Sequence, residues 1–245
     1  MIVDFDGSSE PKLSSPSGHA AGNGIENTVD EDPGSKWCVN NGDTPVIWQM
    51  QFPEPQSVVR KAAVADHRRF MDRCQLTLPE GPNSTLPTPD RVKAAEAVSD
   101  PALAALYFQF GRYLVVSGSR PDSQLPTNLQ GIWAEEYSTP WRGDFHSNIN
   151  LQMNYWPVES ANLSDCHLPL LRFIQSVAKE GEKTAKAYFH APGWMANHTQ
   201  NPWYDTAPSF LPACIGPTCG AWLVAQHVWL HYAFTHDQAF LRELN

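Results

Sequence analysis

The hydrophobic pattern changes near residue 58. Before it, apolar residues are scattered among Gly, Ser, Pro, Asn and Asp. In one piece, "PVIWQMQF", Val46, Trp48, Met50 and Phe52 alternate with Ile47, Gln49 and Gln51. Period two predicts a half-buried strand. After residue 58 the spacing turns helical. "VVRKAAVADHRRFMDRCQLTL" reads as helix, and "TPDRVKAAEAV" as a second one capped by Thr88. "DPALAALYFQFGRYLVVSGS" opens with Asp100 as N-cap and Pro101 at the first helical position. Its Leu103, Leu106, Tyr107, Phe110 and Leu114 predict a helix buried on most sides. "SDCHLPLLRFIQSVAKEGEKTAKAYF" is a long amphipathic pattern with Ser164 as cap and Pro169 early enough to be tolerated or to kink it. "CGAWLVAQHVWLHYAFTHDQAFLREL" reads as one helix, a Thr-His-Asp break and the start of another. The expected class is mainly α, five or six helices behind a short β-rich head, with no internal repeat.

Composition narrows the function classes. The chain has 245 residues, long enough for a sizeable core, and a formal net charge of −9. With 17 basic against 26 acidic residues and no Lys/Arg run, neither nucleic acid nor an anionic membrane surface is an expected partner. No apolar run reaches transmembrane length, and "MIVDFDGSSEPK" has neither the basic nor the apolar region of a signal peptide. Five cysteines without a CxxC pair argue against a zinc cluster or a disulfide framework, although Cys214 and Cys219 are spaced to close a small loop. Three sequons begin at Asn83, Asn162 and Asn197. Nine Trp residues suit either core packing or stacking on sugar rings.

One segment mixes two kinds of residue. "DFHSNINLQMNYW" sets His146, Asn148, Asn150 and Asn154 among Phe145, Met153, Tyr155 and Trp156. Asn and Ser favour helix starts, so "HSNIN" by itself reads as a capping turn; a polar binding edge is the alternative. Met153, Tyr155 and Trp156 are expected to anchor the segment in the core. His227 and His231 are four apart on one helical face and invite a metal reading. No third ligand is evident, so hydrogen-bonded histidines are expected and no metal or other cofactor. Asp144 and Glu159 are carboxylates beside the segment, and the Asn128 and Gln130 amides in "TNLQGIW" are expected to tie loops together.

Longer motifs give these residues a context. "GRYLVVSGSRPDSQLPTNLQGIW" followed by "PWRGDFHSNINLQMNYWPVESANL" resembles the signature of glycoside hydrolase family 95, the α-L-fucosidases. "ADHRRFMDRCQLTL", "LPTPDRV", "PGWMANHTQNPW" and "GAWLVAQHVWLHYAFTHDQAFL" agree with it in the same order, from about Lys61 onward. The head, "ENTVDEDPGSKWCVNNGDTPVIWQMQFPEPQSV", resembles the early strands of a discoidin-like (factor 5/8 type C) carbohydrate-binding module. The resemblance therefore implies a partial discoidin-like segment over 1–58 and the first part of a catalytic domain, about half of an (α/α)6 toroid, over 59–245.

What the resemblance implies about chemistry is specific. The family hydrolyses terminal α-1,2-linked fucose, or α-L-galactose in some members, with inversion. The attacking water is held by an asparagine whose amide is polarised by an aspartate from elsewhere in the chain. That asparagine corresponds to Asn150, while Asn148 and His146 match positions that bind fucose hydroxyls and support the water. Trp194 and His198 fall where the family lines its pocket. An amide can do this because its carbonyl accepts from water while its NH2 donates to a carboxylate. The family's general acid lies in a "SPE"-type motif with no counterpart among these residues, nor does the partner aspartate have one. A general acid contributes about 10²–10⁴-fold, so near-background turnover by this chain alone is expected. Two other outcomes are a fucoside-binding protein without catalysis and a non-functional fragment that self-associates through exposed helix faces. The partner in the first two cases is a fucosylated glycan. Family members are often secreted or periplasmic, and localisation is left open.

Overall fold

In a computed structural model of the chain, residues 12–14, 49–51, 56–208 and 218–243 are described. The chain divides into two compact units, Met1–Asp66 and His67–Asn245. In the first, β1 (Lys12–Ser14) pairs antiparallel with β2 (Gln49–Gln51), Leu13 opposite Met50. β2 falls within the strand expected from alternation. The remainder of that alternation, Cys38, Cys214 and most of the discoidin-like stretch lie outside the described residues. Helix α1 (Gln56–Met71) runs through the unit boundary.

The second unit is helical: α2 (Thr88–Ala94), α3 (Pro101–Gly118), α4 (Asn150–Tyr155), α5 (Leu168–Phe189), α6 (Thr218–Leu223), α7 (Trp229–Thr235) and α8 (Gln238–Glu243). α5 organises it. Leu170, Leu171, Phe173, Ile174, Val177, Gly181, Thr184 and Ala185 are buried at helical spacing, while Arg172, Lys179 and Lys183 face water. Each of the large apolar side chains among them contributes about 1.5–3 kcal/mol on full burial. They pack with Val115 and Val116 of α3, Leu151 and Tyr155 of α4, and Leu223 of α6.

Local rules account for several boundaries and correct others. Asp100 Oδ1 accepts from Leu103 N at 3.1 Å, so α3 starts at the cap the sequence predicts. Thr88 is not a cap: the Asp90 and Arg91 amides both reach the Pro87 carbonyl, so the helix has begun at Thr88. The helix ending in "DRCQLTL" stops at Met71, because Arg112 captures the Phe70 and Met71 carbonyls and that of Cys74. Ser164 does not cap α5 either. A 3-10 turn, Ser164–His167, precedes that helix, and the Ser164 hydroxyl donates to the Glu159 carboxylate. Of the two outcomes expected for Pro169, it is tolerated in the first turn. The Thr-His-Asp break is present: His236 is left-handed (φ 54°), and Asp237 Oδ1 accepts from Ala239 N and Phe240 N.

α3 is not buried on most sides. Leu106, Tyr107, Phe110 and Tyr113 are exposed, while Arg112 is only 2% exposed. The five hydrogen bonds of that guanidinium orient the helix, leaving Phe110, Tyr113 and Trp133 as an outward aromatic row. α6 and α7 are joined by a π-helical turn, Val224–Val228. Among the described residues, no helix is long and apolar enough to cross a membrane.

Candidate active site

Glycine lets a loop approach α5 closely. A Cβ at Gly181 would collide with the Met195 carbonyl, and Met195 N donates to Gly181 O at 3.3 Å. The loop then forms β4 (Thr199–Gln200), which pairs antiparallel with β3 (Phe145–His146), His146 opposite Thr199. Ser147 extends the pairing, donating N–H to His198 O at 2.7 Å and its hydroxyl to Asn197 O at 3.1 Å. Two fully buried glutamines hold the turns: Gln152 donates to Ser147 O and Gln200 to Asn197 O. Phe145 anchors the pair on Phe173, ring centroids 4.7 Å apart.

This scaffold sorts the predicted residues. His146 and His198 come together, ring centroids 5.8 Å apart, His146 partly exposed and His198 buried. Asn148 and Asn150 are exposed, and among the described residues neither amide has a hydrogen-bond partner. Asn150 opens α4 behind Ile149, so neither asparagine caps the helix. Burial, reinforced by His198, lowers the His146 pKa against the opposing pull of Asp144, which keeps the ring neutral near pH 7. Trp194 is partly buried, with its indole against Gly220 of α6, where a Cβ would collide with the ring.

Three buried polar atoms on these residues, Gln152 Oε1, His198 Nδ1 and Gln200 Oε1, have no partner among the described residues. Unpaired buried groups cost about 1–3 kcal/mol each. Trp141 (φ 51°), Arg142 (φ 60°) and Gly143 (φ 65°) are consecutively left-handed just before β3 and hold the Trp141 side chain 71% exposed. Of the amides in "TNLQGIW", Gln130 ties loops as expected, its Nε2 donating to Pro140 O at 2.8 Å, whereas Asn128 Oδ1 accepts from Gln130 N within its own turn.

The core anchors are corrected in part. Tyr155 is fully buried, its hydroxyl bonded to Ser119 Oγ and the Thr127 amide. Met153 and Trp156 are 50% and 44% exposed. On a helix, Leu151, Gln152 and Tyr155 share the inward face, which turns Met153 and Trp156 outward.

A second polar cluster lies beneath α4. Glu159 Oε1 accepts from His167 Nδ1 and His231 Nδ1, both at 2.7 Å. His167 Nε2 lies 3.0 Å from His227 Nδ1, and the Tyr155 ring stacks on His167. Burial pushes the Glu159 carboxyl up, but hydrogen bonds from His167, His231 and Ser164 outweigh it and hold it at about 2. Burial lowers His227 to about 3, with neighbouring His167 acting in the same direction. The sequence offered the 227/231 spacing; it did not show that Glu159 and His167 complete the group from a distant segment.

Motif order and the comparison with known families point to one class, a glycosidase-type domain. The chain belongs to glycosyl hydrolase family 95: the catalytic domain of that family matches residues 55–245. It is 39% identical over 187 residues to Alpha-L-fucosidase 2 of Arabidopsis thaliana, covering 74% of this chain and 22% of that protein. It is 36% identical over 192 residues to Probable alpha-fucosidase A of Aspergillus niger, covering 76% and 24%. For the Aspergillus oryzae protein of the same name the values are 33% over 179 residues, 71% and 25%. The chain thus spans about a quarter of the length of these relatives.

Proposed function

We propose that this chain carries the sugar-recognition part of a fucosidase-type glycoside hydrolase acting on terminal α-1,2-linked fucose or α-L-galactose. Asn150 holds the attacking water, Asn148 and His146 bind ring hydroxyls, and Trp194 and His198 line the pocket. The observation that carries the reading is the β3–β4 pairing. It sets His146 against His198 beside two unengaged asparagine amides and leaves buried acceptors unpartnered. On this reading residues 59–245 are the first part of the (α/α)6 domain and residues 1–58 the discoidin-like segment.

The general acid and the aspartate that polarises Asn150 belong to family motifs without a counterpart in residues 1–245. This chain alone therefore binds the sugar and turns it over near background. The test is ligand-observed NMR of the full chain with 2′-fucosyllactose and with lactose, paired with an assay of fucose release. Saturation transfer to the fucosyl protons, lost in Asn148→Ala and Asn150→Ala, is expected. Equal transfer to lactose would overturn the sugar assignment, and clear fucose release would overturn the missing acid.

The exposed Tyr107, Phe110, Trp229 and Phe234 favour self-association as a second property. Light scattering at rising concentration tests it, and a constant monomer mass would exclude it.

A further inference from the structure

We propose that Glu159, His167 and His231 form a binding site for one zinc-type divalent cation. The proposal stands apart from the sugar reading. Among the described residues this is the one group of three metal-ligating side chains, and the ligand atoms all lie within 4.8 Å of one another. All three residues are buried: Glu159 is 4% exposed, His167 fully buried and His231 5% exposed. Two imidazole nitrogens and one carboxylate oxygen are a donor set that suits zinc.

The surroundings are those of oriented ligands. Ser164 Oγ donates to the second carboxylate oxygen of Glu159, and His227 meets the far nitrogen of His167 at 3.0 Å. Outer partners of this kind fix ring orientation and ligand basicity in metal sites. His227 sits in the π-helical turn, a distortion frequent at functional sites. The ligands come from the loop after α4, the 3-10 turn and α7, so an ion would cross-link segments distant in sequence.

Protons balance between the two states. Without an ion, His167 and His231 both donate Nδ1–H to Glu159, and His227 donates Nδ1–H to His167 Nε2. An ion needs the Nδ1 lone pairs. Each of the three rings then carries its proton on Nε2, His167 Nε2–H donates to His227 Nδ1, and none is released. No oxidant or other reagent is required.

The experiment uses the full chain, stripped with chelator, dialysed and reloaded with zinc or with Co(II). Elemental analysis should give one zinc per chain, and Co(II) should give the visible bands of a low-coordinate nitrogen–oxygen site. His231→Asn is the decisive variant, because its amide can still donate to Glu159 while being a poor ligand. It should stay folded by circular dichroism and lose the ion. His227→Ala should weaken binding about 10–100-fold. Sub-stoichiometric zinc and no cobalt bands in the folded wild-type chain would overturn the proposal, whatever the variants do. So would zinc retained in His231→Asn but lost in His146→Asn, which would place the ion at the other histidine pair.

Discussion

Replacing Arg112 with Met should strongly destabilise the helical unit. The guanidinium is 2% exposed and donates five hydrogen bonds. Nε reaches Ala161 O at 3.2 Å; Nη1 reaches Met71 O at 2.8 Å, Cys74 O at 2.7 Å and Gln109 Oε1 at 2.9 Å; Nη2 reaches Phe70 O at 2.8 Å. Its charge is held by carbonyl dipoles at the end of α1, where a helix concentrates negative potential. Burial lowers the pKa of the group, yet an arginine stays protonated at any working pH. Methionine fills similar volume but orphans the Met71 and Ala161 carbonyls, whereas Cys74 O keeps Gln109 Nε2 and Phe70 O keeps the Arg73 amide. Each buried orphan costs about 1–3 kcal/mol, and relief of the arginine's own desolvation offsets part of that. The net loss should be about 2–4 kcal/mol, against about 5–15 kcal/mol for a typical domain. Urea unfolding followed by tryptophan fluorescence measures it as a fall in midpoint at constant slope. Arg112→Lys should recover little, since one ammonium cannot reach carbonyls on three sides. A loss below about 1 kcal/mol for Arg112→Met, in the range expected of an exposed pair, would refute the argument.

The other predictions concern the same unit. Arg73→Ala should cost less than about 1 kcal/mol by urea midpoint, because its ion pair with Asp165 is exposed on both sides. Gly181→Ala should destabilise by about 1–3 kcal/mol and weaken fucoside binding together, since the new methyl meets the Met195 carbonyl under β4; unchanged NMR saturation transfer would refute the link. Alkaline conditions should destabilise the chain through Cys166, whose thiol burial raises to about 11. The unfolded thiol ionises first, so stability is present below pH 9 and is lost by up to about 2–3 kcal/mol as pH rises toward 11. Burial shifts Tyr155 in the same direction. Urea midpoints at the two pH values for wild type and Cys166→Ala separate the two groups, and equal slopes would refute the cysteine's part. Iodoacetamide near neutral pH should label Cys74 before Cys166.

How much of this was legible depended on sequence distance. The Asp100–Pro101 helix start and the Thr-His-Asp break involve neighbours, and both are found where the pattern puts them. Arg112 was not legible as a buried group, because an arginine in an apolar helix reads equally as one that reaches out to water. Its acceptors lie 38 to 49 residues away, Gln109 aside. β3 and β4 are two residues each, too short for period two to register, and they exist only because Ser147, Gln152 and Gln200 hold the adjoining carbonyls. Apolar bulk misassigned Met153 and Trp156 for a related reason. The inward face of α4 is set by the polar anchor Gln152 together with Leu151 and Tyr155, a choice a hydrophobicity pattern cannot make.

These failures share a physical cause that bears on the site. The amide-bearing edge is supported from below by buried polar groups as much as by apolar ones: Ser147, Gln152, Asn197 and Gln200 under the strands, Glu159, His167 and His231 under α4. A hydrophobic core tolerates sliding by fractions of an ångström, whereas a hydrogen-bonded one has discrete partners and resists it. Positioning a water and a sugar needs the second kind of support, since misplacement by about 1 Å costs catalysis heavily. The cost of such support is that each polar group needs a partner. Among the described residues six buried side-chain atoms lack one, and three of them, Gln152 Oε1, His198 Nδ1 and Gln200 Oε1, are on the residues that hold or form the edge where the sugar is proposed to bind. Gln152→Leu should then release the Ser147 carbonyl and weaken fucoside saturation transfer, and unchanged transfer in the folded variant would refute the link between this support and the edge.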